Sequence, residues 1–215
     1  MIDYVEAVSN HFLLSPCDLA SDYLWPKNNP RCYVDTFNER QAMSQEFLSD
    51  PTSRNRLAIQ MVRRWGGING GSDDSITDMA HQSPNQLIAR GFARVASWSK
   101  VATLHDPHKF FIYDARVAFS INVMMFDAGY TDKFFPMPDS RNTKIKGAIS
   151  ALAKNGIRFG RSNHIVGQNF YKSYIELIHE VGNQIKKPAW QVEMALFASG
   201  PALAQKLSAK LENEY

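Results

Sequence analysis

Apolar residues recur at helical spacing along nearly the whole of this chain, and no run alternates long enough to build a sheet. Tyr4, Val5 and Val8 share one helical side, as do Met43 and Phe47, then Leu57, Met61, Val62 and Trp65. Phe170, Tyr174, Leu177, Ile178 and Val181 form another such stripe. The punctuation agrees with this spacing. Ser49-Asp50-Pro51 signals a helix start, and Ser83-Pro84 opens a segment with proline at its favoured first-turn position. Asp106-Pro107 stops another, because the proline ring has no N–H to donate. The pattern predicts an all-α fold.

Gly66-Gly67 ends the segment that carries Trp65. Ser97-Trp98-Ser99 reads as a short break, so that a helix is expected to start at Lys100. Asp114 caps the next helix, whose Val117, Ala118, Ile121, Met124 and Met125 are strongly apolar. The chain reads as one domain over residues 1–215, with a lobe boundary expected near 132–140, where Phe134-Phe135-Pro136-Met137-Pro138 makes a turn. Gly200-Pro201 is expected to set off a final helix.

Bulk properties bound the function. No apolar run approaches the roughly 18 residues that a membrane span needs. The first twelve residues carry acids at amphipathic spacing, so no secretory signal is expected. Cys17 and Cys32 stand in no ligand pattern, which excludes a four-cysteine cluster within this chain and suits a reducing, cytoplasmic setting. His105 and His108 lack thiolate partners and read as surface histidines; neither a metal nor a cofactor is expected. Charge is unevenly spread. Residues 1–50 hold eight acids against Lys27, Arg31 and Arg40, whereas residues 141–172 hold seven cations and no acid. Such a basic segment suits a polyanion lying along one side of the protein.

Chemistry concentrates in residues 85–122. With a helix starting at Lys100, Ser99 caps it and the positive end of the helix dipole disfavours an ammonium, which favours the neutral amine a nucleophile needs. Asp114, also at a helix start, is held as a carboxylate and suits a site where positive charge develops on a sugar. The flat indoles of Trp65 and Trp98 suit the wall of a pocket for a planar group, with Gly66 and Gly67 beside the first.

Ser99-Lys100-Val101-Ala102, a short linker, and then Ile112-Tyr113-Asp114 leading an apolar helix resembles the helix–hairpin–helix DNA glycosylases that use a catalytic lysine. The run from Ser99 through Lys109, Ile112, Asp114, Arg116 and Val117 is similar, more narrowly, to bacterial proteins of the 8-oxoguanine DNA glycosylase fold. The likeness is sharpest over about 40 residues. It implies two helical lobes with a cleft, Lys100 as amine nucleophile and Asp114 as catalytic carboxylate. In that family hairpin glycines hold a DNA phosphate by their amides. Here the hairpin falls at Ala96-Ser97-Trp98-Ser99, and the Ser97 and Ser99 hydroxyls are the available substitutes. Arg116, Arg158, Arg161 and Ser162 are further expected contacts to the DNA backbone.

The resulting expectation is a monomeric glycosylase acting on a base flipped from double-stranded DNA, with an additional lyase step where the lysine forms an imine. The substrate is oxidised guanine by resemblance. A hypermodified cytosine in phage DNA, removed in antiviral defence, is the alternative. A non-catalytic helical nucleic-acid-binding module using the basic segment is the reading from a different class.

Overall fold

A computed structural model describes residues 2–23, 25, 32–130, 134–159 and 169–214 of the chain. Among them the regular structure is helical throughout, as the periodicity predicts. Backbone packing divides the chain into two compact units, one made of Met1–Tyr23 with Asp114–Tyr215 and the other of Leu24–Tyr113. The Pro-rich stretch beginning at Phe134 lies inside the first unit.

The discontinuous unit contains α1 (Ile2–Leu14), α2 (Leu19–Asp22), and, after the other unit, α8 (Ala115–Asp127), α9 (Thr143–Lys154), α10 (Phe170–Ile185) and α11 (Ala189–Glu214). The long α11 packs along α8, α9 and α10, and α1 closes against α8 and α10. Helix α8 is apolar on every side, and its residues from Val117 to Met125 are all buried. Its two interior polar groups are satisfied. Ser120 Oγ donates to the Leu196 carbonyl at 2.6 Å, and the Asn122 amide exchanges bonds of 2.8 Å with the backbone of Phe135. Pro201 does not break α11: Gly200-Pro201 sits inside one continuous helix. The expected separation fails because burial along α8 and α9 holds both halves in line. A β-carbon at Gly200 would meet backbone and β-carbon atoms of Arg116 at 3.3–3.5 Å, so the missing side chain suits the close approach of α8.

The continuous unit contains α3 (Tyr33–Ser49), α4 (Arg54–Ile59) running into a π-helical turn (Gln60–Trp65), α5 (Asp73–Ala80), α6 (Pro84–Ala89) and α7 (Val95–Thr103). Ser83 and Gln86 form a reciprocal capping box at the start of α6, with Pro84 in its first turn. Leu57, Met61, Val62, Ile76, Met79, Leu87, Trp98 and Val101 make the core, each at most 1% exposed. Such apolar side chains contribute about 1.5–3 kcal/mol each when fully buried. Arg63 organises the glycine-rich loop after the π turn. Its guanidinium donates to the carbonyls of Ile68, Gly70 and Gly71 and pairs with Asp73.

Candidate active site

The helix carrying Lys100 begins five residues before it, at Val95, and not at the lysine. Arg94, in the left-handed region at φ 56°, precedes this start, so the hairpin between α6 and α7 is Arg90 to Arg94. Ser97-Trp98-Ser99 is a run of helix. Val95, Trp98, Val101 and Ala102 form a buried apolar stripe at helical spacing, which outweighs the turn-like look of two serines. The turn between α6 and α7 contains a glycine, Gly91, at φ 62°. Arg90 pairs with Asp78 and bonds Gln82, while Arg94 bonds Ser75.

Three expectations change with this register. Lys100 stands in the last turns of α7, so the positive end of the helix dipole is not near it and cannot favour a neutral amine. Trp98 is fully enclosed and presents no face to a base; its indole N–H donates to the Gly91 carbonyl at 3.1 Å and fastens the hairpin to α7. Ser99 neither caps a helix nor reaches solvent. Its buried hydroxyl accepts from the Tyr113 N–H at 3.1 Å and lies 3.5 Å from the Tyr113 carbonyl oxygen. Ser97 is buried as well.

Lys100 itself is 2% exposed, rare for a lysine. Its Nζ folds back along α7 to donate to the Ala96 carbonyl at 3.0 Å, since an ammonium taken from water needs such bonds. Its methylene chain lies against Gly66, at the mouth of the π turn. That turn is closed by Gly66 N–H to the Met61 carbonyl at 2.9 Å and Ile68 N–H to the Val62 carbonyl at 3.1 Å. Irregular turns of this kind recur at functional sites. Trp65, the last residue of the turn, is half-buried, with the Arg40 guanidinium 5.5 Å from its ring. Its carbonyl accepts from the Trp25 indole at 2.8 Å, and its own Nε1 is enclosed without a hydrogen-bond partner among the described residues. Gly67, at φ 63°, requires glycine for its backbone angle.

Asp114 caps α8 as expected, Oδ1 accepting from Arg116 N at 2.9 Å and Val117 N at 3.2 Å. Arg116 is half-buried with its guanidinium 4.5 Å from the Phe197 ring; burial lowers its pKa, opposed by the charges of Asp114 and Tyr23. The Tyr113 phenol is pushed well above its usual range by complete burial, so it is no base at neutral pH. Arg141, Lys144, Lys146, Lys154, Arg158 and Lys172 are all exposed. Arg161 and Ser162 lie outside the described residues. His105 is not a surface group: its ring packs on Phe47 at 5.1 Å, and burial lowers its pKa. His108 bonds Gln41 at 2.8 Å. Among the described residues no three histidine, cysteine or acidic groups gather into a metal site, and no helix is long and apolar enough to cross a membrane.

The structure therefore brings Lys100, Gly66 and Trp65 together in one unit, and sets Asp114 beside Arg116 in the other. Sequence reasoning missed the Ser99–Tyr113 bonds, which join the residue before Lys100 to the residue before Asp114. The two residues lie 14 apart, and no signal in the sequence pointed to the bonds. It also missed Arg63, for which a lone arginine beside a glycine-rich loop was a weak signal. Comparison with protein-family models, with curated proteins and with solved structures finds no match.

Proposed function

We propose that this chain is a DNA glycosylase that excises a damaged or modified base, of the 8-oxoguanine type, from double-stranded DNA. Lys100, on α7, is its amine nucleophile and Asp114, which caps α8, its catalytic carboxylate; α6, the turn at Arg90–Arg94 and α7 are read as its helix–hairpin–helix. The observation that carries the reading is a lysine buried to 2% exposure on α7, a helix whose Ser99 is bonded to the backbone of Tyr113. Lysine is almost never enclosed so fully unless paired, which sets Lys100 apart from an ordinary surface lysine. The resemblance around Ser99-Lys100-Val101-Ala102 and Ile112-Tyr113-Asp114 supplies the reaction class.

In this mechanism the base is extruded from the duplex. The Lys100 ammonium gives up a proton to solvent and Nζ forms a bond to C1′ of the sugar; the C1′–N glycosidic bond breaks, its electron pair leaving with the base, which then takes up a proton. Asp114 stabilises the positive charge that builds on the sugar, a kind of electrostatic assistance whose removal typically costs 10²–10³-fold in rate. Nitrogen loses a proton, its lone pair forms the C1′=N bond as the C1′–O4′ bond breaks, and O4′ takes up a proton, leaving an imine at C1′. Loss of a proton from C2′ with departure of the 3′ phosphate then nicks the strand. The exposed cations of residues 141–158 and Lys172 supply contacts to the DNA backbone.

Those same cations favour a second reading, a helical nucleic-acid-binding module without catalysis. Borohydride trapping on duplexes containing 8-oxoguanine, an abasic site or a hypermodified cytosine separates the two. The glycosylase reading expects a covalent adduct in the wild type that vanishes in Lys100→Gln, and the reactive duplex names the base. No adduct and no alkali-labile site on any duplex, with binding retained in Lys100→Gln, leaves the binding module.

A further inference from the structure

Gly66 has ordinary backbone angles, φ −83° and ψ −13°, so torsion alone does not require a glycine there. Proximity does. A β-carbon on residue 66 would stand 2.5 Å from Cε and 2.6 Å from Cδ of Lys100, and 2.7 Å from the Val62 carbonyl oxygen. Adjacent Gly67 is the opposite case: its φ of 63° needs glycine, while a β-carbon there would meet only Trp25, at an ordinary 3.5 Å. The two glycines are thus present for different physical reasons.

The far end of the lysine is fixed as well, because Nζ holds the Ala96 carbonyl at 3.0 Å. The methylene chain lies against the bare α-carbon of residue 66 while its tip is tied to α7. The π turn, closed by Gly66 N–H on Met61, sets this residue against the lysine in place of one with a side chain. We infer that Gly66 is a positioning residue for Lys100, holding the amine where it works, and this rests on the reading of Lys100 as the nucleophile. Gly66 acts through the lysine and needs no contact with the extruded base. A methyl group at residue 66 displaces the methylene chain and with it the amine. Misplacement by about 1 Å costs on the order of 10²-fold in rate.

Two measurements test this. The first is a melting-temperature cycle over Gly66→Ala, Lys100→Ala and the double variant. Gly66→Ala should lower the melting temperature less in the Lys100→Ala background, where the truncated chain leaves room; the clash with the Val62 carbonyl is common to both backgrounds and cancels. A double variant that folds where Gly66→Ala alone does not is the strong form of the same result. Equal losses in both backgrounds, or failure of both Gly66→Ala proteins to fold, overturn the inference. The second is the rate of borohydride trapping on an abasic duplex. Folded Gly66→Ala should trap on the order of 100-fold more slowly, with duplex affinity within about twofold of wild type. An unchanged trapping rate overturns the positioning role and leaves the glycosylase reading standing. Wild-type protein that traps on no duplex removes the nucleophile reading, and the catalytic role of Gly66 falls with it.

Discussion

The carboxylate of Asp114 commits Oδ1 to two backbone amides of α8, and among the described residues Oδ2 has no hydrogen bond. Cap and catalytic charge therefore reside on one side chain and can be separated by substitution. Asp114→Ala removes the cap and should cost about 1 kcal/mol of stability. Asp114→Asn keeps an oxygen acceptor and should unfold within a few tenths of a kcal/mol of wild type. Under the proposed mechanism both variants lose excision by roughly 10²–10³-fold, since neither carries the anion. Thermal melts alongside single-turnover excision check this. Full excision by Asp114→Asn would make the residue a cap and nothing more. That Asp114 is a cap was legible in the sequence, because an acid just before a strongly apolar helical segment suits an N-cap. The position of Lys100 within its helix was not. Two serines around a tryptophan look like a turn, but Val95, Trp98 and Val101 share a buried side, and that packing decides the register.

Among the elements, the loop after the π turn is gathered around one side chain of that turn. The Arg63 guanidinium reaches the carbonyls of Ile68, Gly70 and Gly71 and the Asp73 carboxylate. A single ammonium cannot match a planar fork spread over so many acceptors. Arg63→Lys should lose about 1–2 kcal/mol of unfolding free energy in urea and speed amide exchange across residues 66–72. Uniform exchange rates in the two proteins would show that the loop holds its own shape. Because Gly66 begins this segment, a loosened loop should also slow trapping by Lys100. Helix identity was legible wherever spacing and caps agreed, as at Ser83-Pro84 with Gln86. The π turn was not, because its extra residue reflects how Trp65 and Gly66 pack. Pro201 misled for the same reason: local propensity argues for a break, and contacts along α8 and α9 override it.

Across the whole molecule, charge was the property most plainly legible, and it is where binding can be tested apart from chemistry. Residues 141–172 carry no acid, and six of their cations, Arg141, Lys144, Lys146, Lys154, Arg158 and Lys172, are exposed. On α9 the buried positions are Ile145, Ala148 and Leu152, so the lysines of that helix are left to solvent. Solvated lysines contribute little to the fold, and Lys146→Ala with Lys154→Ala should leave the melting temperature nearly unchanged. Binding to a duplex should respond differently. Each phosphate contact contributes about −0.9 to the slope of log affinity against log salt concentration, because a counterion is released with it. If both lysines reach the backbone, the double substitution flattens the slope by up to about 2 and weakens binding to every duplex sequence alike. Anisotropy titrations across roughly 50–200 mM salt measure this. An unaltered slope would place the DNA on other residues of the chain, whereas a loss confined to one modified duplex would mean that α9 helps to read the base.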